Sequence, residues 1–205
     1  MTSKPLTLAI LTALSMAAAG CGVADQGRSP VVVRMDQLAG ASGADKSSTF
    51  GGYLHSDVLT NVLVNKVQIP TRFSDPGQVT LSLVLKDTGT AGLTASPSEL
   101  NTVTFTHYRV VYRRTDGRNV QGVDVPYAFD SGMTVTVTTA GGSKGTFDLV
   151  RVSAKLEAPL LALAANGEAI DVIADVTFYG KDQHDNDVSA TGSIGVTFAN
   201  FGDPS

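Results

Sequence analysis

Beyond residue 50 the chain is dominated by alternation of apolar and polar residues. Val79, Leu81, Leu83 and Leu85 share one phase, and Thr80, Ser82 and Lys86 share the other. Successive side chains of a strand point to opposite faces, so such a run has one dry and one wet side. Met133, Val135 and Val137 alternate in the same way with Thr134, Thr136 and Thr138. The longest case is C-terminal. Ile170, Val172, Ala174, Val176 and Phe178 oppose Asp171, Asp175, Thr177 and Tyr179; then Val188, Ala190, Gly192, Ile194, Val196 and Phe198 oppose Ser189, Thr191, Ser193 and Thr197. The polar stretch 180–187 between them is dense in turn formers and predicts a long antiparallel hairpin.

Thr102 to Arg114 is a further strand whose apolar phase slips, from Val103 and Phe105 to Tyr108, Val110 and Tyr112. A slip of one residue reverses the buried face, which predicts either a bulge near Thr106–His107 or cover on both sides. Thr115-Asp116-Gly117-Arg118 turns the chain into a short segment from Val120 to Val125, and Gly145 to Leu156 supplies one more strand. The glycine-rich run 141–145 reads as a hairpin turn. Pro159 to Ala165 reads as a leucine-rich connection of about one helical turn, ending at Asn166-Gly167. Counted from residue 58 the pattern gives seven or eight strands. No strand-helix alternation points to a parallel sheet. The fold class is all-β, and an antiparallel sandwich of two packed sheets satisfies the pattern best; a jelly roll or a closed barrel remains the alternative. The polar turn Tyr179-Gly180-Lys181-Asp182-Gln183-His184-Asp185-Asn186-Asp187 before a last strand resembles bacterial Ig-like and fibronectin-III-like modules, as does the link Pro159-Leu160-Leu161-Ala162-Leu163. That resemblance implies an Ig-like β-sandwich. The chain departs from it in having no Trp and no pair of Cys.

The N-terminus carries a different signal. Lys4 precedes an apolar run from Leu6 to Met16 and then small residues, the layout of a secretory signal whose core is too short to span a bilayer. The single Cys of the protein, Cys21, follows Ala18-Ala19-Gly20. This resembles a bacterial lipoprotein signal with its lipobox, although Ala18 stands where that motif usually has Leu. The resemblance implies cleavage before Cys21, lipidation of its thiol and acylation of the freed amine. Several acyl chains at about 0.8 kcal/mol per buried methylene give a lasting anchor. With Gly22 after the Cys it also implies sorting to the outer membrane, facing the periplasm or the surface. The expected organisation is a signal peptide over 1–20, a lipidated N-terminus and flexible tether over 21–48, and a sandwich over 49–205. Within the tether, Val31 to Met35 is compatible with a first or edge strand.

Composition narrows the chemistry. A net charge of -4, from 15 basic and 19 acidic residues, gives no electrostatic footprint for nucleic acid. One Cys excludes an intramolecular disulfide and any multi-thiolate metal site. The three imidazoles, His55, His107 and His184, lie in no recognisable catalytic motif, and neither a nucleophile elbow nor a phosphate-binding loop is present. No cofactor is expected. Asp182, His184, Asp185, Asn186 and Asp187 gather hard oxygens suited to calcium, but without loop-ligand spacing and in residues that ordinarily build turns; no metal site is assigned. Arg109 and Arg113 share one strand face with Val111, and Arg114 and Arg118 follow. This basic row suits an anionic partner, or pairs with nearby Asp116, Asp124 and Asp130. The expected function is a membrane-anchored, non-enzymatic envelope lipoprotein whose Ig-like module has a binding or structural role, with a protein or glycan as the expected partner of a binding one. A hydrolase with dispersed catalytic residues and a subunit of a surface assembly are the alternatives.

Overall fold

The computed structural model describes residues 29–44, 49–87 and 96–202. The expected signal peptide, Cys21 and the first part of the expected tether lie outside them. Among the described residues ten strands are present: β1 (Val31–Gly40), β2 (Tyr53–Asp57), β3 (Thr60–Val64), β4 (Val67–Thr71), β5 (Asp75–Leu85), β6 (Val103–Arg113), β7 (Phe129–Val137), β8 (Ser143–Val150), β9 (Ala169–Asp182) and β10 (Asp187–Ala199). Two short helices, α1 (Val152–Lys155) and α2 (Leu160–Asn166), connect β8 to β9. The protein is all-β.

The strands form a three-stranded sheet in the order β1-β5-β8, a five-stranded sheet in the order β2-β10-β9-β6-β7, and a separate hairpin of β3 with β4. Both sheets contribute to one hydrophobic core. Val79 and Leu81 of β5 and Phe147 and Leu149 of β8 join Phe105 and Tyr108 of β6, Val176 and Phe178 of β9, and Ile194, Val196 and Phe198 of β10. At its centre the ring of Phe147 meets Tyr108 and Phe178 edge-on, with centroids 5.0 and 5.2 Å apart. Each such pair contributes about 0.5–1.5 kcal/mol beyond its buried area. Two tyrosines on β6 also bond across the core: Tyr112 donates to Leu149 O at 2.7 Å, and Tyr108 to Asp148 O at 3.1 Å.

The β9–β10 hairpin runs in unbroken register from Ala169↔Ala199 to Lys181↔Asp187. The bulge expected on β6 is present, between Phe105 and His107, and displaces the register against both β7 and β9. It moves the apolar phase by one residue, so Phe105 and Tyr108 both point into the core. The leucine link is α2, whose Leu160 and Leu163 are buried and which Gly167 ends in the left-handed conformation.

Several expectations are corrected. The edge strand compatible with Val31 to Met35 is present as β1 and runs further into the span given to a tether, pairing with β5 from Val31↔Leu85 to Gly40↔Gly77 and burying Val31, Val33 and Ala39. The folded unit therefore includes residues before 49. The run 141–145 is no hairpin turn, because β7 and β8 lie in different sheets and the chain crosses between them there. The strand from Gly145 ends at Val150 and gives way to α1. Val120 to Val125 is a loop closed by a Gln121↔Val125 bridge. One pairing is parallel: β2 lies alongside β10, from Tyr53↔Gly195 to Asp57↔Ala199. β3 and β4 were not separated from the general count, and they project apolar residues, with Leu63 67% and Val67 61% exposed.

Candidate functional site

The outer face of the five-stranded sheet carries the odd-numbered residues of β9, which alternation marks as wet, and these pair with polar residues across the strands. Arg113 donates to Asp175 at 2.5 Å, and Ser193 donates to the same carboxylate at 2.5 Å. Arg109 meets Asp130 at 2.7 Å. Thr177 bonds Thr191, Thr104 bonds Thr136, and Tyr53 bonds Thr197. Opposite charges and hydroxyls facing each other across a ladder stabilise it by a few tenths of a kcal/mol per pair, up to about 1.

The four arginines singled out by sequence fall into two groups. Arg109 and Arg113 stand on this face, each engaged with an Asp of a neighbouring strand. Arg114 and Arg118 lie at the end of β6 and in the loop after it, and both contact Asp116, at 2.6 and 3.0 Å. The Arg114 guanidinium and the bonds from Arg118 hold the Asp116 carboxyl well below the usual carboxylate range. All four guanidiniums are thus paired within the fold, and an anionic ligand would compete with a carboxylate at each.

The β9–β10 turn is likewise internally satisfied. Asp182 is buried, and Oδ1 accepts from the His184 and Asn186 amides at 2.9 and 3.0 Å while Asn186 Nδ2 donates to Oδ2 at 2.9 Å. Burial alone would raise this carboxyl, but the bonds from Asn186 and His184 prevail and lower it. Lys181 contacts Asp185 at 2.9 Å. Among the described residues, no group of three or more His, Cys, Asp or Glu is placed to hold a metal ion.

A groove of about 450 Å³ opens on the outer face where β6 bulges. The bulge brings His107 into register with Tyr179, which in turn faces Ser189. The two rings stack, 4.9 Å apart and 14° from parallel. They form one wall; Thr104, Thr106, Lys181 and Ser189 supply hydroxyls and an ammonium around it. His107 is exposed and Tyr179 half-buried. Alternation already put Tyr179 on the wet face among Asp and Thr, and His107 at the phase slip. What pattern alone did not give was their register, because the bulge sets it.

The interior holds one constellation that pattern reading missed altogether. Lys155 Nζ lies 2.8 Å from Asp75 Oδ2, and both side chains are 0% exposed. Ser56 Oγ donates to Oδ2 at 2.5 Å and the Gly43 amide to Oδ1 at 2.9 Å, while Lys155 also donates to the carbonyl of Asp57 at 2.7 Å. Burial pushes the Asp75 carboxyl above its ordinary range, against the opposing pull of Lys155, Ser56 and Gly43. Ser, Asp and Lys are residues of hydrolase chemistry, but this set has no surface through which to meet a dissolved substrate.

No helix among the described residues is long and apolar enough to cross a membrane. Compared with protein-family models, with curated proteins and with solved structures, the chain gives no match.

Proposed function

We propose that the protein is an exported lipoprotein, anchored at a bacterial outer membrane through Cys21, whose Ig-like sandwich is a non-catalytic binding module for saccharides. The observation that carries the binding reading is the groove walled by His107 and Tyr179. Aromatic rings combine a large apolar surface with a polar tip and suit the C–H face of a sugar ring. The hydroxyls of Thr104, Thr106 and Ser189 line the same groove and would meet its hydroxyl groups, with the Lys181 ammonium shared between the sugar and Asp185. With every arginine of this face paired to a carboxylate, the groove offers little to a phosphate-rich ligand.

The Ig-like reading is supported by strand order. β1-β5-β8 against β2-β10-β9-β6-β7 follows the sheet partition of Ig modules, with β6, β9 and β10 as the central strands of the larger sheet and β7 added at its edge. The apolar run Leu6–Met16 ahead of the sole Cys supports the anchor. A second reading, a subunit of a surface assembly, is favoured by the β3–β4 hairpin, whose Val64, Val67 and Ile69 are exposed along one face.

Calorimetric titration with hexasaccharides of glucose, mannose and N-acetylglucosamine tests the binding reading. Binding weakened about tenfold or more by Tyr179→Ala, corresponding to about 1.4 kcal/mol, is the expected result. Absence of binding to every sugar, or equal binding by the variant, overturns it. Export with Cys21→Ser should move the protein from the membrane to the soluble envelope fraction.

A further inference from the structure

We propose that Lys155 and Asp75 condense, within the folded protein, into an isopeptide bond between Nζ and Cγ. The reactants are already in contact, at 2.8 Å, with no exposed surface on either. Taking an ammonium and a carboxylate out of water is costly, and only their mutual attraction and the hydrogen bonds around them offset it. An amide in the same place carries no charge. It also inherits two of the hydrogen bonds of the site, the bond from Ser56 to Oδ2 being given up with that oxygen. Its single N–H keeps the direction of the Lys155 bond to the Asp57 carbonyl, and its oxygen, Oδ1, keeps the bond from the Gly43 amide.

The step balances without any external reagent. A proton passes from the Lys155 ammonium to Asp75 Oδ2 along their contact, leaving an amine and a carboxylic acid. The nitrogen lone pair forms a bond to Cγ, and negative charge gathers on Oδ1, where the Gly43 N–H stabilises it as an oxyanion donor does. A second proton leaves the nitrogen for Oδ2 along the same contact, while the Ser56 hydroxyl, which already donates to that oxygen at 2.5 Å, assists its departure. The Cγ–Oδ2 bond breaks and Oδ2 departs as water carrying both protons, while the nitrogen keeps the third. Two groups held in this way react with effective concentrations on the order of 10⁵ M or more, which offsets the preference of bulk water for hydrolysis. Burial favours the neutral acid form of Asp75 that the step needs. The product joins the start of β5 covalently to α1, across the chain of β6, β7 and β8.

Tryptic mapping of the purified full chain after denaturation tests this. Trypsin should fail to cut after Lys155, and the peptides 73–86 and 152–181 should travel as one branched species lighter than their sum by one water. In Asp75→Ala the branched species should vanish and cutting after Lys155 should return. Ser56→Ala keeps both reactants and should lower the linked fraction. Unlinked peptides of full mass from the unaltered protein, with cleavage after Lys155, overturn the proposal, as does a linked species that persists in Asp75→Ala.

Discussion

Two tyrosines four residues apart on the buried face of β6 make the same kind of bond across the core, yet removal of their hydroxyls should not cost the same. Tyr112 is 2% exposed and donates at 2.7 Å to Leu149 O, in a residue that is itself fully buried. β8 is the edge strand of its sheet, so that carbonyl has the tyrosine as its cross-core partner. Tyr112→Phe keeps the ring packed against Phe198 but strands a buried acceptor, at a cost of about 1–3 kcal/mol. Tyr108 bonds both O and N of Asp148 at 3.1 Å, in part-buried contacts to a residue that is itself exposed, so the groups left behind lie nearer to solvent. Tyr108→Phe should therefore cost about 1 kcal/mol or less, near the net worth of an ordinary hydrogen bond. Urea unfolding followed by circular dichroism measures both, with the slope unchanged if only native stability moves. In a domain of this size the Tyr112 change should lower Tm by about 2–4 °C per kcal/mol. Equal losses, or a larger one at Tyr108, would refute the claim that burial of the acceptor decides the cost.

Three further outcomes follow from the same geometry. The lowered carboxyl of Asp182 binds its proton less readily when folded, so its stabilisation is present above the ordinary carboxylate range and fades as pH falls through the lower folded value. The stability gap between the unaltered protein and Asp182→Asn should thus shrink below about pH 4, while the opposite tendency of Asp75 is common to both and cancels. Gly77 lies under the ring of Phe147, which a Cβ would meet at 2.4 Å; Gly77→Ala should destabilise by about 1–3 kcal/mol in thermal unfolding, and Phe147→Leu should restore part of the loss. Arg113→Ser removes an exposed pair with Asp175 and should change stability by less than about 1 kcal/mol, with unchanged retention on anionic resin relative to a variant of equal charge.

The parts of the fold legible in the chain were those where one face is wet. β5, β7, β9 and β10 each bury one side, and alternation reports that directly. The bulge on β6 was legible too, since a slip of phase within one strand has few physical solutions. β1 was legible only in its first half, where Val31 to Met35 reads as a first or edge strand; its extension to Gly40 was not, because the Gly- and Ala-rich stretch after it resembles tether and its place is set by pairing with β5. The crossing at 138–142 was hidden for a related reason: Gly141 and Gly142 have positive φ and turn the chain tightly whether it returns to its own sheet or passes to the other. The Asp75–Lys155 pair leaves no periodic trace at all. Its members open a strand and close a four-residue helix, eighty positions apart, and their meeting is a property of the closed core. Of the candidate groove, residue types and faces were readable, but the stacking of His107 on Tyr179 depends on the register that the bulge imposes.

The binding reading is tested most directly by residue-resolved amide shifts of the labelled protein during titration with the same hexasaccharides. Shifts confined to Thr104–His107, Tyr179–Lys181 and Ser189, with β1, β5 and β8 unmoved, are the expected result. Shifts centred on the three-stranded sheet or on the β3–β4 hairpin, or none at saturating sugar, would contradict it.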